Sequence, residues 1–139
     1  MAKVLDSWAL MAWVKDEEPA ASQVEDLLDA GEARQVDLLM SMINVGEVYY
    51  LLRKQRGLPR SEKFWDDIQT LPVRIVGAPN DLILEAARFK SQFPISYADA
   101  FAVATAVRER ATLVTGDPDF KALSEANVVE IEWLGRRVT

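Results

Sequence analysis

The apolar residues of this chain switch repeatedly between strand-like runs and helical spacing, and that alternation limits its fold more than any other feature. Residues 2–5 (AKVL) form a short apolar run ending at Asp6, the signal of a buried strand. From Ser7 the spacing is helical, through Trp8, Leu10, Met11 and Val14. Pro19 begins a second helix, with Val24, Leu27 and Leu28 on one face and Gly31 just past its end. VDLLMSM (36–42) is the next strand. Asn44 opens a long helix that stops near Gly57-Leu58-Pro59, and residues 61–71 form another with Phe64, Trp65 and Ile68 inward. A strand over 73–76, helices over 80–93 and 96–110, a strand over 112–115, a short helix over 118–126 and a last strand over 128–131 complete the reading. Such alternation predicts one α/β domain over 1–139, a three-layer sandwich with a mostly parallel central sheet and helices on both faces.

What the chain lacks narrows its chemistry. It contains no Cys and no His. Disulfides, thiol nucleophiles, Ser-His-Asp catalysis and His- or Cys-ligated zinc are therefore excluded. Catalysis must run on carboxylates, Lys, Tyr or a hydroxyl. The apolar stretches are too short to span a bilayer, and the N-terminal segment has no signal-peptide pattern, so a cytoplasmic protein with no membrane association is expected. The net charge of −6 argues against non-specific nucleic-acid binding, suits a basic protein partner, and leaves room for a local basic rim.

In parallel α/β sheets, ligands bind beyond the carboxyl ends of the strands. Five acids fall there: Asp6 after the first strand, Glu47 and Asp99 in first helical turns, Asp117 after the fourth strand, and Asp119 two residues on. Each has an ordinary explanation taken singly. Asn44-Val-Gly-Glu47 and Ser96-Tyr-Ala-Asp99 read as capping boxes, Asp117-Pro118 as an N-cap followed by proline, and Asp6-Ser7 as a cap for the first helix. Together they read differently. Asp99 is the single charge in SYADAFAVATAV, where an unpaired carboxylate carries a large desolvation cost. A bound cation compensates both that cost and the mutual repulsion, and hard oxygen ligands suit Mg²⁺ or Mn²⁺. The remaining acids, Glu17 and Glu18 among them, read as solvated.

VLDSWAL, NVGEVYYLL, SYADAFAVATA and TGDPDF, in this order and spacing, resemble the acidic motifs of the PIN-domain ribonucleases. In size the chain is similar to the VapC-type toxins of bacterial and archaeal toxin–antitoxin pairs. The resemblance covers essentially the whole chain. It implies a PIN-like sandwich, Mg²⁺- or Mn²⁺-dependent endonucleolytic cleavage of RNA, a homodimer, and inhibition by a cognate antitoxin. By motif, Asp6, Glu47, Asp99 and Asp117 match the core acids, Asp119 a less uniform acidic position, Thr115 a Ser or Thr, and Asn44 a polar position before the glutamate. On this footing Asp6 and Asp99 are the expected principal metal ligands, with Asp117 completing the site. Glu47 is expected to orient or deprotonate water, and Thr115 to hold a ligand or phosphate.

Four further readings compete. A phosphotransfer receiver lacks its acidic pair at Asp6, and a dehalogenase-like phosphatase lacks an acid where Trp8 stands. A housekeeping RNA-processing nuclease would share the same site, and a non-catalytic PIN-fold binding module would have no use for crowded acids. The basic cluster of Arg53, Lys54 and Arg56, with Arg60 and Lys63, reads as a helix end favoured by the dipole, or as an RNA or antitoxin contact. Trp8, Trp13, Tyr49, Tyr50, Trp65 and Phe101 take core packing as their default role.

Overall fold

The computed structural model describes residues 1–135; the last four positions of the expected 1–139 domain lie outside that range. In chain order the elements are β1 (Ala2–Leu5), α1 (Ser7–Val14), α2 (Ala20–Glu32), β2 (Asp37–Ser41), α3 (Met42–Arg56), α4 (Leu58–Ile68), β3 (Val73–Val76), α5 (Asn80–Gln92), α6 (Tyr97–Arg108), β4 (Thr112–Thr115), a 3-10 turn (Pro118–Phe120), α7 (Lys121–Glu125) and β5 (Ile131–Trp133). The five strands form one sheet in the order β3-β2-β1-β4-β5, and every pairing is parallel.

Successive strand residues point to opposite faces, so each buried strand feeds two cores. Leu5, Leu38, Met40 and Val114 join the core under α1–α4, with Val24, Val48, Leu52 and Phe64. Val4, Leu39 and Leu113 join the core under α5–α7, with Leu82, Phe101, Phe120 and Leu123. Helix α6 is buried continuously from Ala100 to Ala106, as expected of a helix that is apolar on all sides. Its alternate alanines allow close approach to the strands beneath. The expected three-layer sandwich is therefore present, with its sheet wholly parallel among the described residues.

Several boundaries differ from expectation. Helix α3 is capped by Ser41, whose Oγ accepts from the Ile43 N–H at 3.2 Å. Asn44 is thus no cap, and Glu47 lies in the second turn. The strand ends at Ser41, so exposed Met42 and Ile43 become the first helical residues. Gly57, at φ +89°, ends α3 as expected, but α4 begins at once at Leu58, with Pro59 placed where no intrahelical donor is needed. The 118–126 helix is a 3-10 turn followed by a single short α-helix. The last strand is not 128–131. Val128 closes α7 through its N–H to the Leu123 carbonyl, Val129 plugs the second core, and pairing with β4 begins at Ile131. No helix among the described residues is long and apolar enough to cross a membrane.

Candidate metal centre

The strand order reverses direction between β1 and β4, because β2 lies on one side of β1 and β4 on the other. In a parallel sheet this leaves a crevice beyond the strand ends. Asp6 follows β1, and Thr115, Gly116 and Asp117 end β4, so the reversal itself brings two of the acidic motifs together.

Asp6 is 1% exposed and held at both oxygens. Oδ1 accepts from the Ala9 N–H at 2.9 Å, capping α1, and Oδ2 accepts from Thr115 Oγ1 at 2.5 Å. The Thr115 hydroxyl in turn accepts from the Asp117 N–H at 3.0 Å, and Asp117 Oδ1 accepts from the Asp119 N–H at 2.9 Å. A single relay of hydrogen bonds thus runs from the end of β1 to the 3-10 turn. Asp99 enters from α6, whose first turn is capped by Ser96 Oγ at 3.1 Å from the Asp99 N–H. Asn44, fully buried, ties the third motif to the others: its Nδ2 donates to Ser7 Oγ at 3.2 Å and to the Ala98 carbonyl at 3.0 Å. Its Oδ1 is buried without a hydrogen-bond partner.

Asp99, Asp117 and Asp119 each offer a carboxylate oxygen, and the three atoms lie within 4.8 Å of one another. They line a cavity of about 370 Å³ together with Glu47, Ser7, Trp8 and Leu51. A larger hollow of about 580 Å³ lies at the amino ends of the strands beside Met1 and Asp37, far from this cluster. There Asp37 meets Arg74 at 3.4 Å, so we assign chemistry to the smaller cavity.

The electrostatics suit a divalent cation. Burial pushes the Asp6 carboxyl up to about 8, against the Thr115 and Ala9 hydrogen bonds, with the Asp99 and Asp117 charges adding to the rise. Burial, then the charges of Asp117 and Glu47, lift Asp99 to about 6. Both shifts reflect the protein alone, and a divalent ion among the acids reverses their sign. The donors are all hard oxygens, as Mg²⁺ or Mn²⁺ prefers.

The structure therefore brings Asp99, Asp117 and Asp119 together at the cavity wall, with Glu47 beside them and Asp6 and Thr115 beneath. Asp119, the less certain of the five from sequence, belongs to the tightest trio. Glu17, read as a solvated acid, is exposed yet lines the same cavity. Ser7 was legible only as the neighbour of a cap. Arg53, Lys54 and Arg56 occupy the last turn of α3 and do not line the cavity. Arg60 donates to the Val14 carbonyl at 2.9 Å, and Lys63 pairs with Asp67 at 2.6 Å, so those two cations have structural duties.

The PIN domain family model matches residues 3–126. The chain belongs to the PIN-domain family. The nucleases of this family generally use divalent metals. No match to the sequence is found among curated proteins. Among solved structures, this PIN domain is similar to VapBC2 from Rickettsia felis bound to a DNA fragment from their promoter, with TM-score 0.72, 18% identity, and coverage of 96% of this chain and 99% of that one. It is similar to VapC20 from Mycobacterium tuberculosis, a sarcin-ricin loop cleaving toxin, with TM-score 0.71, 18% identity, and coverage of 86% and 93%. It is also similar to DNA-bound VapBC from Salmonella typhimurium, with TM-score 0.74, 12% identity, and coverage of 95% and 97%. At these identities the likeness concerns the fold.

Proposed function

We propose that this PIN domain is a metal-dependent endoribonuclease and the toxin of a cytoplasmic toxin–antitoxin pair. The observation that carries the proposal is the trio of Asp99, Asp117 and Asp119 oxygens within 4.8 Å at the switch point of the sheet, above the buried Asp6–Thr115 pair. The toxin reading draws support from the VapBC and VapC neighbours, which match this chain over nearly all of their own length.

Asp99, Asp117 and Asp119 hold Mg²⁺ or Mn²⁺ in this reading, with Asp6 reaching the site from below once ionised. Bound there, the divalent ion supplies Lewis acidity toward phosphate and water. Glu47, beside Asp99, orients the attacking water and takes its proton. Thr115 fixes the Asp6 carboxylate and the Asp117 backbone at the same time, so the two strand ends keep a constant separation. Asn44 holds α1, α3 and the first turn of α6 in register. The partners are RNA as substrate, a cognate antitoxin, and a second copy. Ile43 and Tyr50 on α3, Leu84 on α5 and Tyr97 on α6 are exposed apolar groups that a second copy would cover, and the molar mass in solution checks this.

The decisive experiment incubates purified protein with a pool of cellular RNAs in Mg²⁺, Mn²⁺ or chelator, alongside Asp99→Asn. Cleavage is expected with metal only, and to fall at least ~100-fold in the variant, the scale of one lost charge-stabilising group. Wild-type cleavage by a folded Asp99→Asn protein removes the metal-site assignment.

A further inference from the structure

The three acids of the trio stand on unequal supports. Asp99 belongs to α6, which is buried without a break from Ala100 to Ala106. Asp117 and Asp119 ride on the short passage from β4 into the 3-10 turn. Carboxylates gathered within 4.8 Å repel one another, so that passage needs bracing if the three are to meet before an ion arrives. Phe120, fully buried, anchors its far end in the second core. Its near end is Gly116.

Gly116 does not have a positive φ, so its backbone does not call for glycine. The space beside it does. A Cβ there would lie 2.2, 2.3 and 2.6 Å from three atoms of the six-membered ring of Trp8, closer than a side chain can come. A Cβ on Gly135 would lie 3.4 Å from the same ring. The Gly135 N–H donates to Gln23 Oε1 at 2.7 Å, and the Leu134 N–H donates to the Thr115 carbonyl at 2.8 Å. The indole is thus seated among the chain ends that follow β4 and β5. Its own backbone belongs to the first turn of α1, two residues after Asp6. Trp8 is half-buried against the first core, and it borders both the acid cavity and a neighbouring hollow of about 430 Å³.

We propose that Trp8 is a positioning residue for the metal centre. Seated on Gly116, its indole fixes the start of the 116–119 segment and so sets how closely Asp117 and Asp119 approach Asp99. The proposal rests on the metal-dependent reading above and adds to it a residue that carries no ligand atom. Residues that hold the liganding groups, without touching the metal, commonly change its affinity by about ten- to a hundred-fold. A filled site holds its ligands through the ion's own charge, so the brace governs ion affinity more than turnover at saturation. Core packing alone predicts something else. Trp65 is half-buried against the same core and does not line the acid cavity, so it serves as the comparison.

The test is calorimetric titration of Mn²⁺ into wild type, Trp8→Phe, Gly116→Ala, the double variant and Trp65→Phe, each shown folded by circular dichroism and melting. Trp8→Phe keeps an aromatic ring against the core but withdraws the atoms that reach Gly116. It is expected to raise the Mn²⁺ Kd roughly ten-fold. Its RNA cleavage is expected to fall in limiting Mn²⁺ and to recover at saturation. Gly116→Ala is expected to raise the Kd by a similar factor beside Trp8, and by much less in the Trp8→Phe background, where the methyl has room. Trp65→Phe is expected to lower Tm and leave the Kd unchanged. An unchanged Kd in Trp8→Phe overturns the proposal. So does an equal rise in Trp65→Phe, which would make the effect one of general loosening. A Gly116→Ala effect of the same size in both backgrounds also overturns it, because the glycine would then act without the indole. If Trp8→Phe does not fold, Gly116→Ala decides alone, and an unchanged Kd there has the same force. In each of these cases wild type still binds Mn²⁺, so only the brace is lost and the metal-centre reading stands. If wild type binds no Mn²⁺, both fall.

Discussion

Asp6 shows how one residue serves fold and chemistry in opposite senses. As an N-cap it satisfies the Ala9 N–H, and as a buried carboxyl it is pushed up to about 8. Folding therefore tightens its hold on a proton relative to the unfolded chain. Its stabilising contribution is fully present below the ordinary carboxyl value near 4 and is lost as pH rises toward 8. Asp99, lifted to about 6 by burial and its acidic neighbours, acts with the same sign over a narrower window. In chelator, the protein is expected to become less stable between pH 4 and 8, as measured by urea midpoints, and Asp6→Asn to flatten most of that slope. A metal-free midpoint that rises over this range contradicts the burial of an unpaired Asp6. The cap was legible in Asp6-Ser7, and so was the unpaired Asp99. Thr115 as the link between Asp6 and Asp117 was not, because nothing in the spacing of residues 109 apart discloses a shared hydroxyl.

At the level of elements, apolar periodicity located each helix and strand, while the ends were set by contacts that local sequence does not contain. NVGE has the form of a capping box, yet Ser41 caps α3 because β2 delivers the chain to the helix three residues earlier. Asn44 is thereby moved inside, where its amide braces α1 and α6. The two residues should respond differently to alanine. Ser41→Ala is expected to cost about 1 kcal/mol, the ordinary value of a cap. Asn44→Ala strips one buried and one part-buried acceptor of their donor and is expected to cost about 1–3 kcal/mol, with a further loss of activity through misplaced Asp99. Chemical denaturation of both variants measures this. A larger cost for capping by Asn44 than for bracing would appear as peptide-level helix loss in α3 alone. VVEI misled for a related reason: β-branched residues suit strands, but tertiary packing used Val129 as a core plug after α7.

For the molecule as a whole, the strand order converts acids scattered from residue 6 to residue 119 into one site, and it does so at a cost in charge repulsion. The sequence disclosed which acids stand at strand ends, because alternating strands and helices in a parallel sheet leave few alternatives. It did not disclose that Asp119 would sit nearer Asp99 than its surface context suggests, or that Asp6 would lie below the cavity, because both depend on the side chains between β1 and β4. That crowding sets the response of the whole fold to metal. An ion that binds only the folded state stabilises it by mass action, by about 2.7 kcal/mol when present at a hundred times its Kd. For a chain of this size that corresponds to a rise in Tm on the order of 10 °C. Because Asp6 and Asp99 must lose protons to take part, the rise is expected to be larger at pH 8 than at pH 6, with proton release on binding. Asp117→Asn is expected to abolish most of the rise while barely lowering the metal-free Tm, since Asn retains the acceptor for the Asp119 N–H. A Tm that ignores Mn²⁺ at both pH values would mean that the acids are held together for some purpose other than a cation. In that event protons on Asp6 and Asp99 would be what relieves the repulsion, and the site would lack the Lewis acid that the proposed chemistry needs.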